Sequence, residues 1–316
     1  MAVRHVWVIA FLTLRCSAYE LTGRIEPPAA LPVFLHGATV PFESATESGA
    51  DGRFRFRKIS AGTYTLGIST TVRGQLIETV ELGPGTVNSK GRFDIVLRID
   101  EKRLESEGAR STSATVSATV LSIPDRARRE YEEARRSLSR REPERAAEHL
   151  ARAVQMAPQF SAAWNQLGVM AYQARRFSDA EANFRKALDA DPEAFEPLVN
   201  LGGVLLNLKR PEDALGYNQR AVLRRTNNAL ANSQLGLSYF DLNDPDHAEK
   251  YLRIAIQLDP AHFSHPQLVL AEIYLRRGDG VSALGQLRAF LEQHPDAPEA
   301  AAVRQKIAGL SRAEYD

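Results

Sequence analysis

Three carboxamide side chains, Gln166, Asn200 and Gln234, recur 34 residues apart. An amide donates and accepts at once, so amides in register can pair with the backbone of an extended peptide whatever that peptide's side chains. With Asn165, Tyr172, Gln173, Asn207, Ser233, Phe240, His265 and Arg276, they make up the eleven-residue candidate peptide-binding set whose common face is argued below.

Bond-making chemistry has no comparable candidates. Cys16 is the only cysteine and lies in the leader described below, which excludes a disulfide framework, a thiol nucleophile and a cysteine metal site in the mature chain. No P-loop, dinucleotide fingerprint or nucleophile elbow is present. Asp241-Leu242-Asn243-Asp244 follows a calcium loop only until Pro245 stands in place of an acidic ligand. His262 and His265 flank two loop residues, but metal sites use three or four ligands, so both read as solvated loop histidines. No catalytic residue, cofactor or metal is expected, and the chain reads as a non-enzyme.

The chain is long enough for two domains, and 44% hydrophobic residues suffice for ordinary cores. Net charge is +1. That balance offers no broad footprint for nucleic acid. Arg4, the apolar run Val6–Leu14 and small Ala18 have the order of an export signal over residues 1–18, cleaved after Ala18. The run is shorter than the roughly 20 residues of a membrane span, so no stable span is expected, and the mature protein would be periplasmic or secreted by a bacterium. An uncleaved anchor and a lipoprotein acylated on Cys16 are the alternatives, the second set against Arg15.

From Leu21 to Arg98 the pattern has period two. Phe54 and Phe56 alternate with arginines, Tyr64, Leu66 and Ile68 share one side, and Phe93, Ile95 and Leu97 repeat the pattern. Turn chemistry at Asp51-Gly52, Ala61-Gly62 and Gly83-Pro84-Gly85 separates these strands, which predicts a small antiparallel β-sandwich over residues 19–99. The stretch Ala50–Ile68, ADGRFRFRKISAGTYTLGI, resembles the core of the carboxypeptidase regulatory-like domain, a transthyretin-like sandwich. The resemblance implies that Gly62 turns the chain and Tyr64 packs in the core, so the motif marks a fold and no active site. None of the seven histidines has Glu three residues on, as a peptidase's zinc site would. Residues 100–123 mix charge with Ser and Thr ahead of Pro124 and read as a linker.

Beyond Pro124 the period is helical. Ala146, Ala180, Ala214 and Ala248 are spaced by 34 residues, and so are Ala153, Ala187, Ala221 and Ala255. Antiparallel helices approach closely only where a side chain is small, so each hairpin needs an alanine at its crossing. Residues Ser161–Ala194, with Trp164, Leu167, Gly168, Ala180, Phe184, Ala187 and Pro192, are similar to the tetratricopeptide repeat. The resemblance places five repeats at 127–160, 161–194, 195–228, 229–262 and 264–297 within 124–297, followed by a capping helix at 298–312. The fold class is therefore a β-sandwich followed by an α-helical solenoid.

The resemblance also implies a concave groove lined by the first helix of each hairpin, able to hold a protein or extended peptide. Asn165 and Glu196 stand where some relatives carry the cations that grip a terminal carboxylate, which argues against such a ligand. In the arginine-rich stretch Asp125–Arg145, acids interleave with the arginines, as on a solvated helix with i,i+4 pairs. The reading is an exported scaffold that binds a protein partner, its oligomeric state open. Binding of cell wall or carbohydrate through the sandwich is the alternative, with Phe34 and Phe42 as its aromatic candidates.

Overall fold

The computed structural model describes residues 18–313 apart from 39, 71–73 and 100–121. The expected leader and most of the expected linker lie outside the described residues.

Among the described residues, seven strands form the N-terminal domain: β1 (Tyr19–Glu26), β2 (Pro32–Gly37), β3 (Glu43–Glu47), β4 (Arg53–Ile59), β5 (Gly62–Thr70), β6 (Gly74–Leu82) and β7 (Arg92–Arg98). They make a three-stranded sheet ordered β4-β1-β7 and a four-stranded sheet ordered β3-β2-β5-β6. The alternation read from sequence sets which side chains enter the space between them. Phe54, Phe56, Tyr64, Leu66 and Ile68 are buried, while Arg53, Arg55 and Arg57 face water. Tyr64 Oη donates to Ser60 O at 3.0 Å, which satisfies its hydroxyl at the core's edge. Gly52, at φ +76°, brings the chain so close to β1 that a Cβ would stand 2.7 Å from Ile25 O.

One pairing corrects the antiparallel expectation: β1 and β7 run parallel, with Leu21 opposite Phe93 and Ile25 opposite Leu97. These are the domain's first and last strands, so no hairpin turn forces them to run in opposite directions.

The C-terminal part consists of helices α1 (Asp125–Ser139), α2 (Pro143–Met156), α3 (Ser161–Gln173), α4 (Phe177–Ala190), α5 (Phe195–Asn207), α6 (Pro211–Arg224), α7 (Ala229–Asp241), α8 (Pro245–Leu258), α9 (Pro266–Arg276), α10 (Gly280–Gln293) and α11 (Ala300–Ala313). The two periodic alanine series have no exposed surface, as expected of residues at helix crossings. The first helices approach just as closely. A Cβ on Gly168 would stand 2.4 Å from the Phe184 ring, and one on Gly236 would stand 2.7 Å from Leu252. Each turn inside a hairpin carries a left-handed residue: Arg141, Arg175, Lys209, Asn243 and Gly278. Among the described residues no helix is long and apolar enough to cross a membrane.

Candidate functional site

The candidate residues do not form one uniform row. Asn165, Gln166, Gln173 and Asn200, from α3 and α5, line a cleft of about 640 Å³ whose opposite wall is the β domain. Phe42 and Glu43 contribute that wall, and Tyr131 and Phe160 close the end nearest α1. Asn200 Nδ2 donates to Asn165 Oδ1 at 3.0 Å, which leaves the Asn165 amino group and the Asn200 carbonyl oxygen for a ligand. The Gln166 side chain has no hydrogen-bond partner among the described residues. Gln173 is already engaged: its Nε2 donates to Gly37 O (3.0 Å) at the end of β2 and to Val40 O (3.2 Å) in the β2–β3 connection.

The remaining candidates lie elsewhere. Asn207 bonds Tyr172 Oη at 3.2 Å and Gly203 O at 2.9 Å. Ser233 is fully buried against Ser264, 2.5 Å away. Gln234 lies over Gly203, close enough that a Cβ there would stand 2.4 Å from its amide nitrogen. Arg276 sits 4.7 Å above the Phe240 ring and pairs with Glu272.

His262 and His265 correct the expectation of solvated loop histidines. His262 is only 2% exposed and its Nδ1 lies 2.7 Å from Ser264 Oγ. Burial pushes its pKa down to about 3, with the neighbouring His265 and His294 adding to the shift. His265 adopts φ +51° ahead of Pro266, and its ring packs on Phe290 and His294 with centroids 5.0 and 4.4 Å away. It serves packing and lies apart from the cleft. Among the described residues no group of three or more His, Cys, Asp or Glu is placed to hold a metal.

The first helix corrects a second expectation. Its neighbours pair at i,i+3, as in Glu132 with Arg135 and Glu133 with Arg136, and Glu130 reaches Arg152 on α2. Arg135 also leaves its own helix: its Nε and Nη2 donate to Glu43 Oε1 at 2.8 and 2.7 Å. That bond holds the guanidinium pKa above its usual range, against the opposing effect of burial. Arg141 donates to Ser60 Oγ (2.7 Å) and to Lys58 O, and its guanidinium stands 5.5 Å from the Phe42 ring centre. The α1 end of the helical array is therefore docked on the β domain.

The other end is docked too. Thr79 donates to Asp259 Oδ2 from its amide (3.1 Å) and its hydroxyl (2.6 Å). His294 Nδ1 lies 3.0 Å from Glu81, and Gly85 N donates to Asp296 Oδ2 at 2.6 Å. None of Arg135, Asp259 or His294 has a sequence signal pointing to the β domain. Their partners lie 92 to 213 residues away. Of the aromatic candidates of the sandwich, Phe34 lies over Gly67 and Phe42 packs edge-on to Tyr64, both half-buried.

Comparison with known proteins bears on the helical repeats. Over 139 residues, 40% of its length, the chain is 32% identical to cellulose synthase operon protein C of Pseudomonas fluorescens (strain SBW25), and it spans 11% of that relative. The structure of PilW, described as a widely conserved type IV pilus biogenesis factor, superposes with a TM-score of 0.52 at 20% identity, covering 58% of this chain and 85% of PilW, a likeness of fold. MamA from Desulfovibrio magneticus RS-1 gives a TM-score of 0.49 at 23% identity over 56% of this chain and 99% of that one. Residues 131–182 and 171–229 match one family model described as tetratricopeptide repeat, and residues 239–307 match another of the same description. Arrays of such repeats are typically non-catalytic scaffolds for protein–protein contact. With these matches covering more than half of the sequence, the chain belongs to the tetratricopeptide repeat family.

Proposed function

We propose that this protein is an exported, non-catalytic scaffold that holds a segment of a protein partner in the cleft between its β domain and its first three helical hairpins. One observation carries the reading: Asn165, Gln166 and Asn200 line a 640 Å³ cleft and retain amide groups that no described residue engages. A cleft of this size takes a short segment; it is too small for a peptide lying along all five hairpins. Export rests on the leader pattern of residues 1–18 and on the likeness to a cellulose synthase operon protein. We also take residues 19–99 as a carboxypeptidase regulatory-like domain, on the strength of its Asp51-Gly52 turn and buried Tyr64.

The test is capture from the cell envelope with tagged mature protein and an Asn165→Ala, Gln166→Ala, Asn200→Ala variant, the recovered species identified by mass spectrometry. A protein retained by the parent and lost from the variant supports the cleft. Equal recovery by both, or recovery of glycan alone, contradicts it.

A further inference from the structure

The β2–β3 connection presents to Gln173 the chemistry an amide would read in a bound peptide. Gly37 N donates to Phe42 O at 2.8 Å, closing a tight bend. A Cβ on Gly37 would stand 2.0 Å from Val40 O, so only glycine lets the bend close with that carbonyl in place. The carbonyls of Gly37 and Val40 then converge on one amide nitrogen, Gln173 Nε2. Immediately after the bend, Phe42 lies beside the guanidinium of Arg141 and Glu43 receives both hydrogen bonds from Arg135.

Two backbone carbonyls, an aromatic ring and a carboxylate thus meet an amide and two arginines of α1 and its turn. The chain's own segment also forms one wall of the cleft, beside the amides of Asn165, Gln166 and Asn200. We propose that the β2–β3 connection is a resident, displaceable pseudo-ligand. On this proposal the partner of the cleft is a protein segment of the same pattern, two carbonyls on one side followed by an aromatic residue and a carboxylate. This rests on the cleft reading above and names its ligand class. The partner competes with the β domain for Gln173, Arg141 and Arg135, so the protein's own fold sets the threshold for binding.

The probe is a fluorescent synthetic peptide of residues 36–47, HGATVPFESATE, titrated into full-length mature protein. Glu43→Arg sets two cations against each other and undocks the segment, while the peptide's glutamate remains able to reach Arg135. At least tenfold tighter binding to Glu43→Arg than to the parent is expected, lost again in Glu43→Arg/Gln173→Ala. The charge-swapped Glu43→Arg/Arg135→Glu chain re-forms the pair and should return to weak binding. Should Glu43→Arg fail to fold, Arg135→Glu serves instead, read with the peptide in which glutamate is replaced by lysine, HGATVPFKSATE. Equal affinity for parent and undocked chain, or binding indifferent to Gln173, overturns the proposal, as does absence of binding to every folded variant. If the peptide fails while envelope capture still depends on Asn165, Gln166 and Asn200, the pseudo-ligand falls and the cleft stands. If capture is also indifferent to those amides, both fall.

Discussion

The β domain meets the helical array at two ends that differ in kind. At the C-terminal end, Thr79, Asp259 and His294 are all at least nine-tenths buried, and the contact is closed. At the N-terminal end, Arg135 keeps 43% of its side-chain surface in water, Arg141 and Gln173 reach across from helix termini, and the contact borders an open cleft. Removing one partner of a buried polar contact is costly because the group left behind stays buried without gaining water, whereas the survivor of a hydrated ion pair takes water as its partner at little cost. On the proposal above, the first is the anchor and the second is the end that opens.

The largest expected effect is at the anchor. Asp259→Ala leaves the amide and hydroxyl of Thr79 buried without their acceptor and should cost about 3 kcal/mol in denaturant unfolding. A loss below about 0.5 kcal/mol would place the anchor elsewhere.

Acid comes next. His262 stays neutral in the fold down to about pH 3, whereas the unfolded chain takes up that proton near pH 6.5. The unfolded state therefore binds more protons between those limits, and stability contributed above pH 6.5 is lost as the pH falls towards 3. By pH 5 the loss from this one group is about 2 kcal/mol. Urea midpoints measured between pH 7 and 4 should fall for the parent and fall less for His262→Asn.

At the opposite end, Glu43→Gln should cost only about 1 kcal/mol, because Arg135 keeps water as an alternative partner. A loss as large as that of Asp259→Ala would erase the distinction between anchor and opening end. The smallest effect belongs to Gln166→Ala, expected to stay within about 0.5 kcal/mol of the parent in stability while weakening partner capture.

The helical half was largely legible because its constraint is periodic. Ala146, Ala180, Ala214 and Ala248 declare a crossing wherever they recur, and all four are buried. The β domain was legible through strict alternation, as in RFRFR, where inward and outward residues differ in kind. Contacts without a period stayed hidden. Arg135 looked like one of many solvated arginines, since nothing local distinguishes it from Arg136, yet only Arg135 finds Glu43. His262 lies in a loop beside Pro260 and Phe263, a setting that reads as exposed, yet its ring meets Ser264 Oγ and only 2% of the residue is exposed. The left-handed turns at Arg141, Arg175 and Lys209 were equally silent, because only Gly278 and Asn243 carry residue types that favour that conformation. Of the candidate site, Gln166 and Asn200 are legible from spacing, but the wall opposite them depends on a domain docking that no spacing encodes.

The most direct test of the cleft is photo-cross-linking in the native cell envelope with a benzophenone amino acid placed either at Gln166, inside the cleft, or at Leu223, a side chain 76% exposed and outside it. Adducts to one protein segment from position 166 and none from position 223 are the predicted result; the same adducts from both positions, or none from 166, would contradict it.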